Sequence, residues 1–335
     1  MDSFHFEPLK QVPRGVIVDT DIGPDCDDVG ALAVLHVLAE KYRIPILGIV
    51  NCTSNIYGCG AIDVVGKYCG NGNVPVGIYG KSGFLDGPET MYYNRYLTET
   101  FHSIYAPEHE TGGEAACRAD GQKPEEAVAL YRRLLAEAAP KSIMLITIGP
   151  LNNLADLLQS GGDAVSPKSG RELVAEKVYA VVAMAGCTKT KQREYNIICD
   201  AEAAQIFLET IPVPVVFSGF EVGLAVMSGF YGKTPENAEQ NPIFQAYRLY
   251  SEKAFRNDDY INRSFDLTAV QFAFEGEGAY YRMSGPGTMK IDRGAEDATE
   301  FVLHPEGSQY YMELACEAQA LSALLSEYLL HAGNC

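Results

Sequence analysis

The chain has 335 residues, 47% hydrophobic and 21% charged, and a formal net charge of −18. This is a globular composition, which excludes a disordered or collagen-like chain. A surface so acidic repels phosphate backbones and anionic lipids, so neither nucleic acid nor membrane is expected as a partner. No run reaches the ~18–20 apolar residues of a bilayer-spanning helix. The opening Met1–Pro8 lacks the basic and then apolar regions of a secretory signal. The nine cysteines form no Cys-x-x-Cys pair. Cys52, Cys59 and Cys199 sit among apolar or small residues, a pattern that predicts free thiols and a cytoplasmic location. Six scattered histidines, none at ligand spacing to a cysteine, argue against a structural zinc.

In chain order, Gly15–Asp19 reads as a buried strand and Val29–Tyr42 as the helix after it. Pro45–Val50 is a second strand and Ala61–Tyr68 a second helix. Further strands are predicted at Ser142–Ile148, Val178–Met184 and Val213–Ser218, each followed by a helical pattern. Strands apolar on both faces, alternating with helices, predict an α/β fold: a mostly parallel, Rossmann-like central sheet flanked by helices. Ligands bind such sheets beyond the carboxyl ends of the strands. Residues 13–331 read as one domain. Within it, Gly80–Lys123 is a long connection of little periodicity, insertion-like, with the length of a lid or an oligomer contact. Asn241–Asn262 has helical spacing and an aromatic stripe of Phe244, Tyr247, Tyr250, Phe255 and Tyr260. That stripe reads as core packing or as a helix flanking an active site.

The most informative segment is Asp19-Thr20-Asp21-Ile22-Gly23-Pro24-Asp25-Cys26-Asp27-Asp28, five aspartates between a strand and a helix. One carboxylate can cap the helix and complement its dipole. The others repel each other unless something positive compensates them. A hard divalent cation held by oxygen ligands is the economical answer, with Gly23 allowing the turn. The spacing does not match an EF-hand loop.

These residues carry a resemblance. Asp19 to Gly23, then Asp27-Asp28-Val29-Gly30-Ala31-Leu32, resembles the amino-terminal signature of the nucleoside hydrolases, the inosine-uridine-preferring N-ribohydrolase family, with two additional residues before the paired aspartates. The likeness continues in order through Ser54-Asn55, Ile148-Gly149-Pro150-Leu151-Asn152-Asn153, Met184-Ala185-Gly186, Glu194-Tyr195-Asn196 and Ser264-Phe265-Asp266. It implies a nucleoside hydrolase fold and a Ca2+ ion held by Asp21, Asp28, Asp266 and the backbone carbonyl of Ile148. Those are hard oxygen donors suited to Ca2+ or Mg2+. The implied reaction is hydrolysis of a nucleoside N-glycosidic bond to free base and ribose, with Asp21 as general base. Asp27 and Asn55 fall on the 2′-hydroxyl side of the sugar, Glu194 and Asn196 on the 3′ and 5′ side. The role of Asp25 stays open. The resemblance further implies a homodimer or homotetramer and a place in purine or pyrimidine salvage.

Several positions depart from the family pattern. Thr188 stands where an Asn is common, Phe265 where some members place a His before the late Asp, and the chain has no Trp to stack a base. Base recognition therefore reads as rewritten, and a Tyr, His109 or a base with a good intrinsic leaving group would have to assist departure. Two other readings stand beside the hydrolase: a non-catalytic, metal-assisted ribose or nucleoside binder, and a Mg2+ phosphohydrolase built on the strand-Asp-x-Asp start. The second leaves the Gly-Pro-Leu-Asn-Asn and Glu-Tyr-Asn segments unexplained.

Overall fold

The computed structural model describes residues 4–90, 93–105 and 124–334. The chain begins β1 (Gly15–Thr20), α1 (Asp27–Tyr42), β2 (Ile46–Asn51), α2 (Ile56–Tyr68), β3 (Val76–Ile78) and α3 (Asn94–Tyr105). It continues β4 (Glu125–Glu126), α4 (Ala127–Glu137), β5 (Ile143–Thr147), α5 (Asn152–Gln159), α6 (Gly170–Lys177), β6 (Val178–Met184), α7 (Tyr195–Cys199), α8 (Ala201–Thr210) and β7 (Val215–Ser218). The last third holds α9 (Phe220–Ala225), β8 (Met227–Gly229), α10 (Pro242–Tyr250), β9 (Ile261–Arg263) and α11 (Phe265–Glu275). It closes with β10 (Tyr281–Met283), β11 (Gly287–Asp292), β12 (Ala298–Leu303), β13 (Gln309–Leu314) and α12 (Ala318–His331).

The main sheet runs β12-β11-β13-β7-β6-β5-β1-β2-β3-β4, with β10 also on β13. From β4 across to β13 every neighbour pair is parallel, and the antiparallel pairs β11–β12, β11–β13 and β10–β13 close one edge. The expected mostly parallel sheet is therefore present, extended by an antiparallel rim that the sequence reading did not anticipate. The strands are apolar on both faces because both faces are covered. Val16 and Val18 join the core under α1, α11 and α12, while Ile17 joins the core under α4, α5, α6 and α8. Strand β1 pairs with β2 on one side and β5 on the other. Chain order thus diverges there, and a crevice opens beyond the carboxyl ends of β1 and β5.

Gly80–Lys123 is not without periodicity where it is described. Tyr93, Leu97 and Phe101, spaced by four, are fully buried on and just before α3, which packs against α2 and α10. Cys26, Cys52, Cys59, Cys69 and Cys187 are buried. No helix among the described residues is long and apolar enough to cross a membrane.

Candidate active site

The acidic loop leaves β1 and turns back into α1, so Asp27 and Asp28 occupy the first turn of α1 and Asp266 the first turn of α11. The positive ends of two packed helices thus converge on one point, the usual place for anions. The loop is pinned from outside. The Asn94 amide donates to the Ile22 carbonyl at 3.2 Å and the Tyr93 hydroxyl to the Asp25 carbonyl at 2.7 Å. Gly23, at φ 151°, passes so close to the turn at Pro88–Thr90 that a Cβ would lie 2.3 Å from the Thr90 carbonyl oxygen. At Gly149 a Cβ would lie 2.9 Å from Oδ1 of Asp21, so only glycine lets the β5 turn approach that carboxylate.

Within the cluster, the Asp266 backbone N–H donates to Asp27 Oδ2 at 3.1 Å, the Thr20 hydroxyl to Asp28, and the Asn262 amide to Asp25 Oδ2 at 3.2 Å. Oxygen atoms of Asp25, Asp27 and Asp28 lie within 4.8 Å of one another. Asp21, Asp27, Asp28 and Asp266 are at most 5% exposed. Burial first, and then the neighbouring carboxylates, hold all four well above the usual carboxylate range. For Asp21 the main neighbours are Asp28 and Asp25, and for Asp266 they are Asp27 and Asp28. Glu194 is raised by burial as well, although the N–H groups of Gly186, Asn196 and Ile197 hold its charge at 2.9, 2.9 and 3.2 Å. Behind them, buried Asp19 is pushed up to about 7 while accepting from the Tyr131 hydroxyl at 2.8 Å and Asn153 at 3.1 Å.

These carboxylates floor a cavity of about 300 Å³, which Asp21, Asp25, Asp27, Asp28, Glu194 and Asp266 line together with Ile148, Met184 and Asn196. None of the described residues lining it is Lys, Arg or His. A divalent cation fits this donor set: hard oxygens only, desolvated, and without a compensating side chain. The Asn196 amide donates to the Met184 carbonyl at 3.0 Å and lies 3.5 Å from the Ile148 carbonyl.

Above the floor the walls are aromatic. Phe220 and Phe265 stack with centroids 5.3 Å apart and planes at 21°, and Tyr195 and Tyr250 stand beside them. Tyr250 comes from the end of α10, whose Phe244 and Tyr247 point into the core instead. Of the residues singled out in the sequence, Asn55 does not line this cavity. It caps α2, accepting from Tyr57 N at 3.0 Å, and its Nδ2 is buried without a partner. Thr188 is turned away too, its N–H and hydroxyl donating to Glu221. His109 lies outside the described residues. The sequence reading left Asp25 without a role and passed over Phe220. Asp25 lies in the loop after β1 and Phe220 two residues after β7, beyond the strand ends where a parallel sheet places its ligands.

A family model described as inosine-uridine preferring nucleoside hydrolase matches residues 16–292. Among solved structures, the fold is similar to that of a plant nucleoside hydrolase at 17% identity and a TM-score of 0.67, covering 95% of this chain and 99% of that one. It is similar to an inosine-guanosine nucleoside hydrolase at 18% identity and a TM-score of 0.68, covering 96% and 99%. A purine-preferring ribonucleoside hydrolase from Gardnerella vaginalis gives 18% identity and a TM-score of 0.65, covering 96% and 100%. Compared with curated protein sequences, the chain has no match.

Proposed function

The chain belongs to the inosine-uridine preferring nucleoside hydrolase family and is in class a nucleoside N-ribohydrolase; from that premise we propose a specific division of labour among its cavity residues. Asp21, Asp28, Asp266 and the Ile148 carbonyl would hold a divalent cation, Ca2+ in this reading. Such an ion supplies Lewis-acid chemistry, lowering the pKa of water and orienting a vicinal diol.

The protein's own part follows from where each group sits. Asp21, on the cavity floor beside the sugar site, takes the proton of the attacking water as general base. Backbone N–H groups fix both Glu194 oxygens, one at Oε1 and two at Oε2, and the carboxylate so oriented meets sugar hydroxyls on the 3′ and 5′ side beside Asn196. Asp27 serves the 2′ side, while Asn55, which caps α2 outside the cavity lining, takes no part in this division of labour. As the glycosidic bond breaks, the carboxylate floor stabilises positive charge developing on the sugar. The rings of Phe220 and Phe265 exclude water and cover the base.

The observation that carries this reading is the floor itself: six acidic side chains from residues 21 to 266 meet in one cavity without a basic residue among its described lining. Incubation with a panel of nucleosides and assay of released reducing sugar tests it. Ribose release supports the hydrolase. Binding without release supports the non-catalytic binder, and phosphate release from a phosphomonoester supports the phosphohydrolase.

A further inference from the structure

A neutral nucleobase is a poor leaving group, and a positioned acid that protonates it contributes roughly 10²–10⁴-fold. Among the described residues, the base end of this cavity is badly supplied with acids. Phe220 and Phe265 offer only faces and edges, no His, Lys or Arg is among the described lining residues, and Tyr195 and Tyr250 bring the phenols there. The Tyr195 phenol is half-exposed, and burial together with nearby Cys199 and Asp21 holds its pKa well above the usual tyrosine range, which makes it a weak donor. What the cavity has in excess is attraction for positive charge: six acidic side chains, of which one divalent cation balances two, and aromatic faces that favour cations.

Resting on the hydrolase reading above, we propose that this site prefers cationic N-ribosides, in which the ribose is joined to a quaternised heteroaromatic such as a pyridinium. Such a substrate needs no acid. When the C1′–N bond breaks, its electron pair passes to the ring nitrogen and cancels the positive charge, so the heteroaromatic leaves neutral. The water oxygen bonds to C1′ and gives its proton to Asp21. Riboside cation and water thus become ribose, a neutral heteroaromatic and one proton. Before bond cleavage, the positive ring lies against Phe220 and Phe265, above the acidic floor.

The test compares four substrates on the full-length protein supplied with Ca2+: ribosylpyridinium, uridine, inosine and p-nitrophenyl β-D-ribofuranoside, the last being uncharged yet able to leave without a proton. Expected is a kcat/KM for ribosylpyridinium roughly 100-fold or more above uridine and inosine. Phe265→Leu, and separately Phe220→Leu, should raise KM for ribosylpyridinium by about 2–30-fold, the range of one cation–π contact. The same variants should move KM for the p-nitrophenyl glycoside less. Uridine or inosine turned over as fast as ribosylpyridinium overturns the preference. So does an equal KM change for both activated substrates, which would leave leaving-group quality as the only factor. If uridine and the p-nitrophenyl glycoside react while ribosylpyridinium does not, the preference falls and the hydrolase reading stands; inertness toward all four overturns both.

Discussion

Asp163, in the loop between α5 and α6, and Asp266, in the first turn of α11, have opposite surroundings. Asp163, in the loop before α6, accepts from Arg132 at 2.7 and 2.9 Å and from the N–H groups of Val165 and Ser166 at 3.0 and 2.9 Å. The guanidinium holds its carboxyl well below the usual range. Arg132 is itself spoken for, donating also to Ser160, Ser166 and Lys168. Asp266 lies deeper, among Asp27, Asp28, Asp25 and Asp21, and its carboxyl is pushed up instead. Where a carboxylate serves the scaffold, the chain supplies its own cation. Around Asp266 it supplies more carboxylates, a costly arrangement unless protons or an external cation balance it.

The largest expected effect breaks that contrast at its catalytic end. Asp21→Asn should lower kcat by roughly 10²–10⁴-fold with the circular dichroism spectrum unchanged, and a wild-type kcat would remove Asp21 as the base. The next concerns the cation. At a concentration 100-fold above its dissociation constant, a bound ion stabilises the fold by about 2.7 kcal/mol. Differential scanning calorimetry should therefore show a higher Tm with Ca2+ than with chelator, and Asp28→Asn should abolish the difference. An equal Tm with and without ion would contradict a cation site on this floor.

His36 sharpens the comparison, because there burial alone shifts the titration. Both ring nitrogens are buried without partners, and desolvation lowers its pKa to about 4 from 6.5. The folded state therefore binds fewer protons than the unfolded chain between these values, so stability is full above pH 6.5 and falls as pH drops toward 4. The loss is on the order of 3 kcal/mol. Denaturant melts at pH 7 and pH 4.5 should show His36→Leu losing less stability on acidification than wild type, the other acidic groups cancelling in the difference. Equal losses would show that His36 does not titrate in this way.

How much of this was legible in sequence depends on how local the signal is. The floor was readable because four of its aspartates fall within eight residues, with a fifth opening a helix at Ser264-Phe265-Asp266. The parallel strands were readable because sheets covered on both faces need runs such as Val16-Ile17-Val18. The walls were not. Phe220 and Phe265 are 45 positions apart in sequence, each at an ordinary helix start, and only the packing of α9 against α11 stacks them. The rim strands β11 to β13 alternate polar and apolar residues at an edge, a weaker pattern than a buried run. The helix α3 was hidden because its buried positions, Tyr93, Leu97 and Phe101, are diluted by exposed polar residues in a stretch that otherwise reads as loop. Thr188 stands in the sequence only as a departure from the family's common Asn, whereas in the fold Glu221 accepts from its N–H and hydroxyl, and from those of Thr190, to shape the loop.

The smallest expected effect is the most direct test of the contrast, because the same substitution should act with opposite signs. Asp163→Asn keeps an oxygen for Val165 and Ser166 but takes the counter-charge from Arg132, whose guanidinium stays buried. Tm should fall by a few degrees at most, with turnover and the response to Ca2+ unchanged. In chelated protein, Asp266→Asn removes a carboxylate whose charged neighbours in the floor, Asp27, Asp28, Asp25 and Asp21, are all acidic, so Tm should rise rather than fall. Adding Ca2+ should then help wild type more than this variant. A fall in Tm for both variants in chelator would mean that Asp266 has a stabilising partner in the folded protein, and the floor would be scaffold of the same kind as Asp163.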